Sequence, residues 1–362
     1  MPLPTPNPDE KKDNFVDRCM GNDTMNDEFP DRSQRRAVCE RKWDEDKAQA
    51  MGVHYPGIVN AVFNQPWALL PETYGVICEL VRSRSLGIRL TAEQIQERIA
   101  TTDNTAIAAR HVGAGAARNW AVAIIPVYGV LAQRMNMMTQ VSGGTSTELL
   151  GKMFREAIRE PSITAIILDV DSPGGSVFGV DELASEIYAN RNVKPILAVA
   201  NSLAASAAYW IASQADEFVI TPGGLVGSIG VLTAHEDISK AQEIAGVKTT
   251  VVSAGKFKAE GEPFQPLSET AREALQSMVD DYYGVFLQVV ARGRKRSLAS
   301  VKSGFGQGRL VNAEDAKAEG MVDSIATLDQ TIARLMGHGS HGQVGAVSDA
   351  DMRQRRLRIG SL

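Results

Sequence analysis

Residues 121–131 read AVAIIPVYGVL, and runs of the same kind return as ITAIILDV (163–170), PILAVA (195–200), EFVI (217–220), IGVL (229–232) and KTTVV (248–252). They are short and rich in β-branched residues, and they do not alternate apolar with polar. Strands covered on both faces read this way. Between them lie stretches with helical spacing at 146–160, 180–191, 206–215 and 238–246. Strands alternating with helices predict βαβ crossovers, hence an α/β domain with a largely parallel sheet. A long amphipathic helix is expected over 268–294, with Ser268 as its N-cap and Glu269 just behind.

Outward from this block the chain changes character. At 362 residues it exceeds the usual single domain. Residues 1–50 hold 12 acidic and 9 basic side chains, with prolines at positions 2, 4, 6 and 8. Such a segment buries little, so a charged, partly disordered tail or a small helical appendage is expected. Residues 51–118 are predicted to be helical with a linker. TAEQIQERIA (91–100) carries a Thr N-cap, and the end of this region is rich in Ala and Gly. The main domain is expected over 119–328. Residues 329–362, with GHGSHGQ and MRQRRLR, are predicted to be a flexible tail.

The chain is 44% hydrophobic and 22% charged, the composition of a soluble globular protein. A net charge of −5 leaves no basic footprint for nucleic acid. With no apolar run of membrane-spanning length, no membrane partner and a cytoplasmic location are expected. Cys19, Cys39 and Cys78 are odd in number, widely spaced and without a CxxC pattern, so they read as incidental thiols of a reducing compartment. No H-E-x-x-H or Cys/His cluster calls for a metal, and no cofactor is expected.

Parallel-sheet enzymes place their sites where strands end, and three turns of small residues, two of them glycine-containing, follow strands here. In Asp171-Ser172-Pro173-Gly174-Gly175 the paired glycines can turn backbone N–H groups toward a substrate, although Pro-Gly is also plain turn punctuation. In Ser202-Leu203-Ala204-Ala205-Ser206-Ala207, a serine sits among small residues where a strand passes into a helix. There it can act as a nucleophile or simply cap the helix. The third turn, Gly227-Ser228-Ile229-Gly230, is followed by Gly255-Lys256-Phe257-Lys258-Ala259-Glu260-Gly261. A lysine serves as a base only when burial or hydrogen bonds bring its pKa down from about 10.4, and spacing cannot show that. His235 with Asp237 is the rival base, in the logic of a Ser-His-Asp triad. The bland reading of His235 is a polar loop residue.

DSPGG (171–175), SLAASAAYW (202–210), GSIGV (227–231) and GKFKAEG (255–261), in that order, closely resemble the signal peptide peptidase (protease IV) family of Ser–Lys peptidases. The resemblance runs from about Ala121 to Ile325 and includes GRLVNAEDAKAEGMVD (308–323). Within that family the phage head-maturation proteases are most similar, through HEDISKAQEIAGVK (235–248), the Glu-Gly-Glu-Pro after the lysine, and the opening segment. The resemblance implies a Clp protease/crotonase-like spiral of ββα units with a largely parallel sheet, plus the N-terminal helical appendage. It implies Ser206 as nucleophile, Lys258 rather than Lys256 as general base, and Ser228 as the hydroxyl that orients the lysine. Gly175 and Ala207 would give the oxyanion N–H groups, and Gly174, Gly227 and Gly230 would line the substrate. It further implies a homo-oligomer acting on scaffold, portal or capsid proteins, in the host cytoplasm or inside the procapsid. The alternatives are a bacterial cytoplasmic peptidase of the same family and a non-catalytic assembly protein on the same fold.

Overall fold

The computed structural model describes residues 4, 11–29, 31–50, 62–85, 110–113, 121–134, 144–244 and 246–337. The predicted helix at 91–100, most of the Ala/Gly-rich connector, and residues 338–362 lie outside the described residues.

The N-terminal segment forms three helices, α1 (Lys12–Met20), α2 (Asp23–Glu28) and α3 (Arg32–Ala50). Its charges hide a small apolar face, and Phe15, Val16, Cys19, Met25, Cys39 and Trp43 bury one another. Here the structure corrects the sequence reading. Packing of α1 on α3 brings the Cα atoms of Cys19 and Cys39 to 5.9 Å, and the two form a disulfide. Cysteines twenty residues apart are adjacent once a helical hairpin folds. Cys78 is free and buried.

Then come β1 (Trp67–Leu69), α4 (Pro71–Ser85), β2 (Arg110–Gly113) and the main block. In the block, long strands β3 (Ala121–Tyr128) and β6 (Ile163–Ser172) run on into short strands β4 (Leu131–Ala132) and β7 (Gly174–Ser176). The pair β3–β4 is followed by β5 (Thr145–Ser146) and α5 (Thr147–Arg159), and the pair β6–β7 by α6 (Val180–Ala189). Each long strand joins one sheet and each short one a second sheet, of order β1-β7-β4-β5. This is the expected spiral of ββα turns. The next turn holds β8 (Ile196–Ala205), α7 (Ala207–Ala212), β9 (Glu217–Ile220) and β10 (Leu225–Gly227). After α8 (Ser239–Ile244) comes α9 (Glu269–Arg294), where the Ser268 side chain accepts from Ala271 N–H as predicted. The chain closes with α10 (Leu298–Ser303), β11 (Leu310–Asn312), α11 (Ala313–Glu319), β12 (Ser324–Ile325) and α12 (Leu328–Gly337).

The large sheet has the order β11-β10-β8-β6-β3-β2, with β9 beside β8 and β12 beside β9. Pairs among β3, β6, β8, β9 and β10 are parallel, and the edge strands β2 and β11 are antiparallel. Both faces are apolar, as the unalternating runs require. Ile125, Ile166, Leu168 and Ala198 face the core under α5, α6, α7 and α9, while Ile124, Ile167, Leu197 and Val199 face the other side. That second face needs a cover, and Leu328, Ile332, Leu335 and Met336 of α12 supply it. Residues 328–337 are therefore a docked helix, not the start of a flexible tail.

Two predicted strands are missing. IGVL contributes a single bridge, from Leu232 to Trp67, and KTTVV forms no strand. Val251, Val252 and Phe257 of that region stand 42%, 93% and 53% exposed.

Candidate active site

Ser206 ends the central strand β8 and enters α7 with φ 55° and ψ −118°. An L-residue in such a conformation costs on the order of 1–3 kcal/mol, and it persists only where the surroundings enforce it. Here Ser206 N–H donates to Gly227 O at 2.8 Å, and Ser206 O accepts from Trp210 N–H at 2.9 Å. Small neighbours make the turn possible: Ala204, Ala205, Ala207 and Ala208 are all fully buried. The side chain makes no cap hydrogen bond. Its hydroxyl meets Gly230 O at 3.4 Å instead, so the helix-cap reading fails. Ser202 is exposed and bound to Asp171 at 2.6 Å.

The glycine pair lies against this serine. A Cβ on Gly174, whose φ is +101°, would sit 2.9 Å from Ser206 Cβ and run into Ala68 O. A Cβ on Gly175 would strike the Leu131 backbone. Only glycine fits either place, and at Gly174 this lets the backbone pass directly against Ser206. Ala207 opens α7 directly behind Ser206. Ser228 is the next strained residue, with φ 52° and 5% exposure, and its N–H donates to Arg309 O at 2.8 Å. Gly227 backs onto Arg309 rather than onto open space. Thus the structure gathers Ser206, Gly174, Gly175, Ala207, Gly227, Ser228 and Gly230.

Lys258 is not part of that gathering within one chain. It lies in an exposed turn, with its N–H donating to Gly255 O at 3.2 Å. Lys256 is also exposed and stacks its ammonium over Phe257 at 4.6 Å. A cavity of about 280 Å³ opens beside this turn, lined by Lys256, Glu260, Glu262 and Gln265 among others, without Ser206 or Lys258. The triad rival is engaged elsewhere. His235 Nδ1 faces Asn64 Oδ1 at 3.3 Å, and Asp237 accepts from Ser239 N–H at 2.9 Å at the start of α8. The hydrogen bonds from Ser239 hold the Asp237 carboxyl below its usual range. The sequence reading missed β1, three residues too short to signal a strand, which pairs with β7 beside the serine.

A largely parallel sheet with a strained serine at the end of a central strand, and a glycine packed against it, is the layout of a serine peptidase on a Clp protease/crotonase-like fold. Residues 188–340 match the model described as Peptidase family S49. That stretch contains Ser206, Ser228 and Lys258. The chain is 32% identical over 247 residues to capsid assembly protease C of Escherichia phage lambda, covering 65% of this chain and 55% of that one. It is 28% identical over 279 residues to a head-tail preconnector protein of Enterobacteria phage P21, covering 72% and 56%. Protease 4 of Salmonella typhi is 31% identical over 214 residues, covering 59% and 34%. The chain thus spans about half the length of the phage relatives it matches. No helix among the described residues is long and apolar enough to cross a membrane.

Proposed function

We propose that the chain is a serine endopeptidase in which Ser206 attacks the peptide carbonyl and Lys258, supplied by a neighbouring copy, takes its proton. The observation that carries this is the strained, buried Ser206, whose hydroxyl caps nothing and whose Cβ lies against Gly174. The N–H groups of Gly175 and Ala207 would hold the oxyanion. Ser228 would orient the lysine, and the Gly227–Gly230 turn would line the substrate backbone. Lys258, neutral before the attack and protonated by it, would then pass the proton to the leaving amine. The exposed Val251, Val252 and Phe257 beside Lys258 support a loop that packs on another subunit.

Its substrates would be scaffold, portal or capsid proteins inside an immature head, a reading supported by the likeness to a capsid assembly protease and a head-tail preconnector protein. The protease 4 relative supports the second reading, a bacterial cytoplasmic peptidase of the signal-peptide-peptidase kind. Co-expression with the neighbouring head genes, followed by mass-spectrometric mapping of new termini, separates the two. New termini in head proteins, absent with Ser206→Ala, are expected. Head proteins left whole by an enzyme active on other proteins would refute the capsid role.

A further inference from the structure

A working nucleophile must meet its substrate, yet Ser206 is fully buried. Part of what covers it is the chain's own strand β1, whose Ala68 carbonyl enters the space between Gly174 and Ser206. Residues 64–70 run between two backbone edges. On one side Trp67 exchanges hydrogen bonds with Leu232 at 2.8 and 2.9 Å, and Asn64 N–H donates to Ala234 O at 2.9 Å. On the other side β1 lies antiparallel to β7, with Ala68 opposite Gly175 and Leu70 N–H donating to Pro173 O at 3.0 Å. An extended segment held on both edges by main-chain hydrogen bonds is how proteins bind peptides by strand addition.

The register fixes which bond faces the serine. Bonded pairs in an antiparallel ladder recur every second residue. Because Leu70 and Pro173 are one such pair, Ala68 and Gly175 are the next, and Gly175 N–H donates to Ala68 O. That N–H is the oxyanion donor assigned above.

We propose that residues 64–70 are an internal substrate, and that Ser206 cuts the Ala68–Leu69 bond of this chain and so opens the cleft to other proteins. The inference rests on Ser206 being the nucleophile. Ser206 Oγ bonds to the Ala68 carbonyl carbon, and its proton passes through Lys258 to the Leu69 nitrogen as the C–N bond breaks. One water then hydrolyses the ester, its hydroxyl completing the Ala68 carboxyl and its proton returning to Ser206. The products are residues 1–68 and a chain that begins at Leu69. The same segment restrains the base loop, since Asn64 Nδ2 donates to Gly261 O at 2.8 Å, and its departure frees both halves of the site.

The test is to incubate the full chain, wild type and Ser206→Ala, and follow intact mass and N-terminal sequence beside hydrolysis of added casein. The expected result is a wild-type chain beginning at Leu69, with casein hydrolysis rising in step with its formation, and a Ser206→Ala chain that stays whole. A wild type that degrades casein with Ala68–Leu69 intact, or that cuts itself only elsewhere, overturns the proposal. A wild type that cleaves neither casein nor itself removes the Ser206 assignment, and this proposal with it.

Discussion

The serine half and the lysine half of the candidate site are built in opposite ways. Ser206 sits at the end of a central strand of the sheet, with four fully buried alanines around it and backbone bonds on both sides. Lys258 sits in a stretch without regular structure, beside apolar side chains that stand in solvent. Strain can be stored only where packing over-determines the backbone, so a distorted nucleophile belongs in the sheet. A lysine on an exposed loop becomes a base only when burial or hydrogen bonds to its neutral amine favour the uncharged form. On the proposed reading, one chain would prepare the nucleophile and its oxyanion donors, while burial of the base would come from assembly.

The sharpest way to break that contrast is by substitution at the chemical groups. Ser206→Ala and Lys258→Ala should each lower the peptidase rate by on the order of 10⁴-fold or more with little change in thermal stability. Lys256→Ala and His235→Ala should stay within about tenfold of wild type, since neither residue touches the proposed chemistry. Rate assays on purified variants decide this. An inactive, folded His235→Ala would restore the triad reading.

Packing gives the next largest effect. Trp210 is 1% exposed and stacks on Phe286, with ring centroids 4.4 Å apart. Trp210→Ala should cost about 3–5 kcal/mol in denaturant unfolding. Phe257→Ala, at a half-exposed position, should stay within about 0.5 kcal/mol of wild type in the isolated chain while lowering activity. Equal stability losses at the two positions would mean that the lysine loop is core rather than interface.

The smallest effect is electrostatic. Burial works to raise the Asp323 carboxyl, but hydrogen bonds from Arg294, at 2.7 and 2.9 Å, and from Phe218 N–H outweigh it and hold the group below its usual value. A depressed carboxylate adds stability above its unfolded pKa of about 3.9 and loses it as pH falls through the folded value. Asp323→Asn should therefore destabilise by about 1 kcal/mol between pH 5 and 7, because the pair is partly solvated. The difference should shrink below about pH 4 in melts across pH.

What the sequence revealed follows from what a run of residues can encode. The runs at 121–131, 163–170 and 195–200 announce strands because both faces are buried by the chain's own helices. KTTVV carries the same composition, but Val252 stands 93% exposed, and composition cannot tell a core strand from an exposed segment. The hairpin of α1 and α3 hid behind its charges, and with it the Cys19–Cys39 pairing, because adjacency there is a property of the folded hairpin. The serine, the glycine pair and the Gly227–Gly230 turn were legible as motifs. That Ser206 is strained and uncapped, and that β1 lies over it, depends on long-range backbone pairing that no local pattern records.

Mixing subunits tests the division between the two halves most directly. Ser206→Ala and Lys258→Ala chains, each inactive alone, would be unfolded, mixed, refolded together and assayed for peptidase activity, with light scattering to follow mass. Shared sites predict that the mixed oligomer regains activity, because a Lys258→Ala chain offers Ser206 and a Ser206→Ala chain offers Lys258. A catalytically active wild-type monomer, or a mixed oligomer that stays inactive, would contradict it.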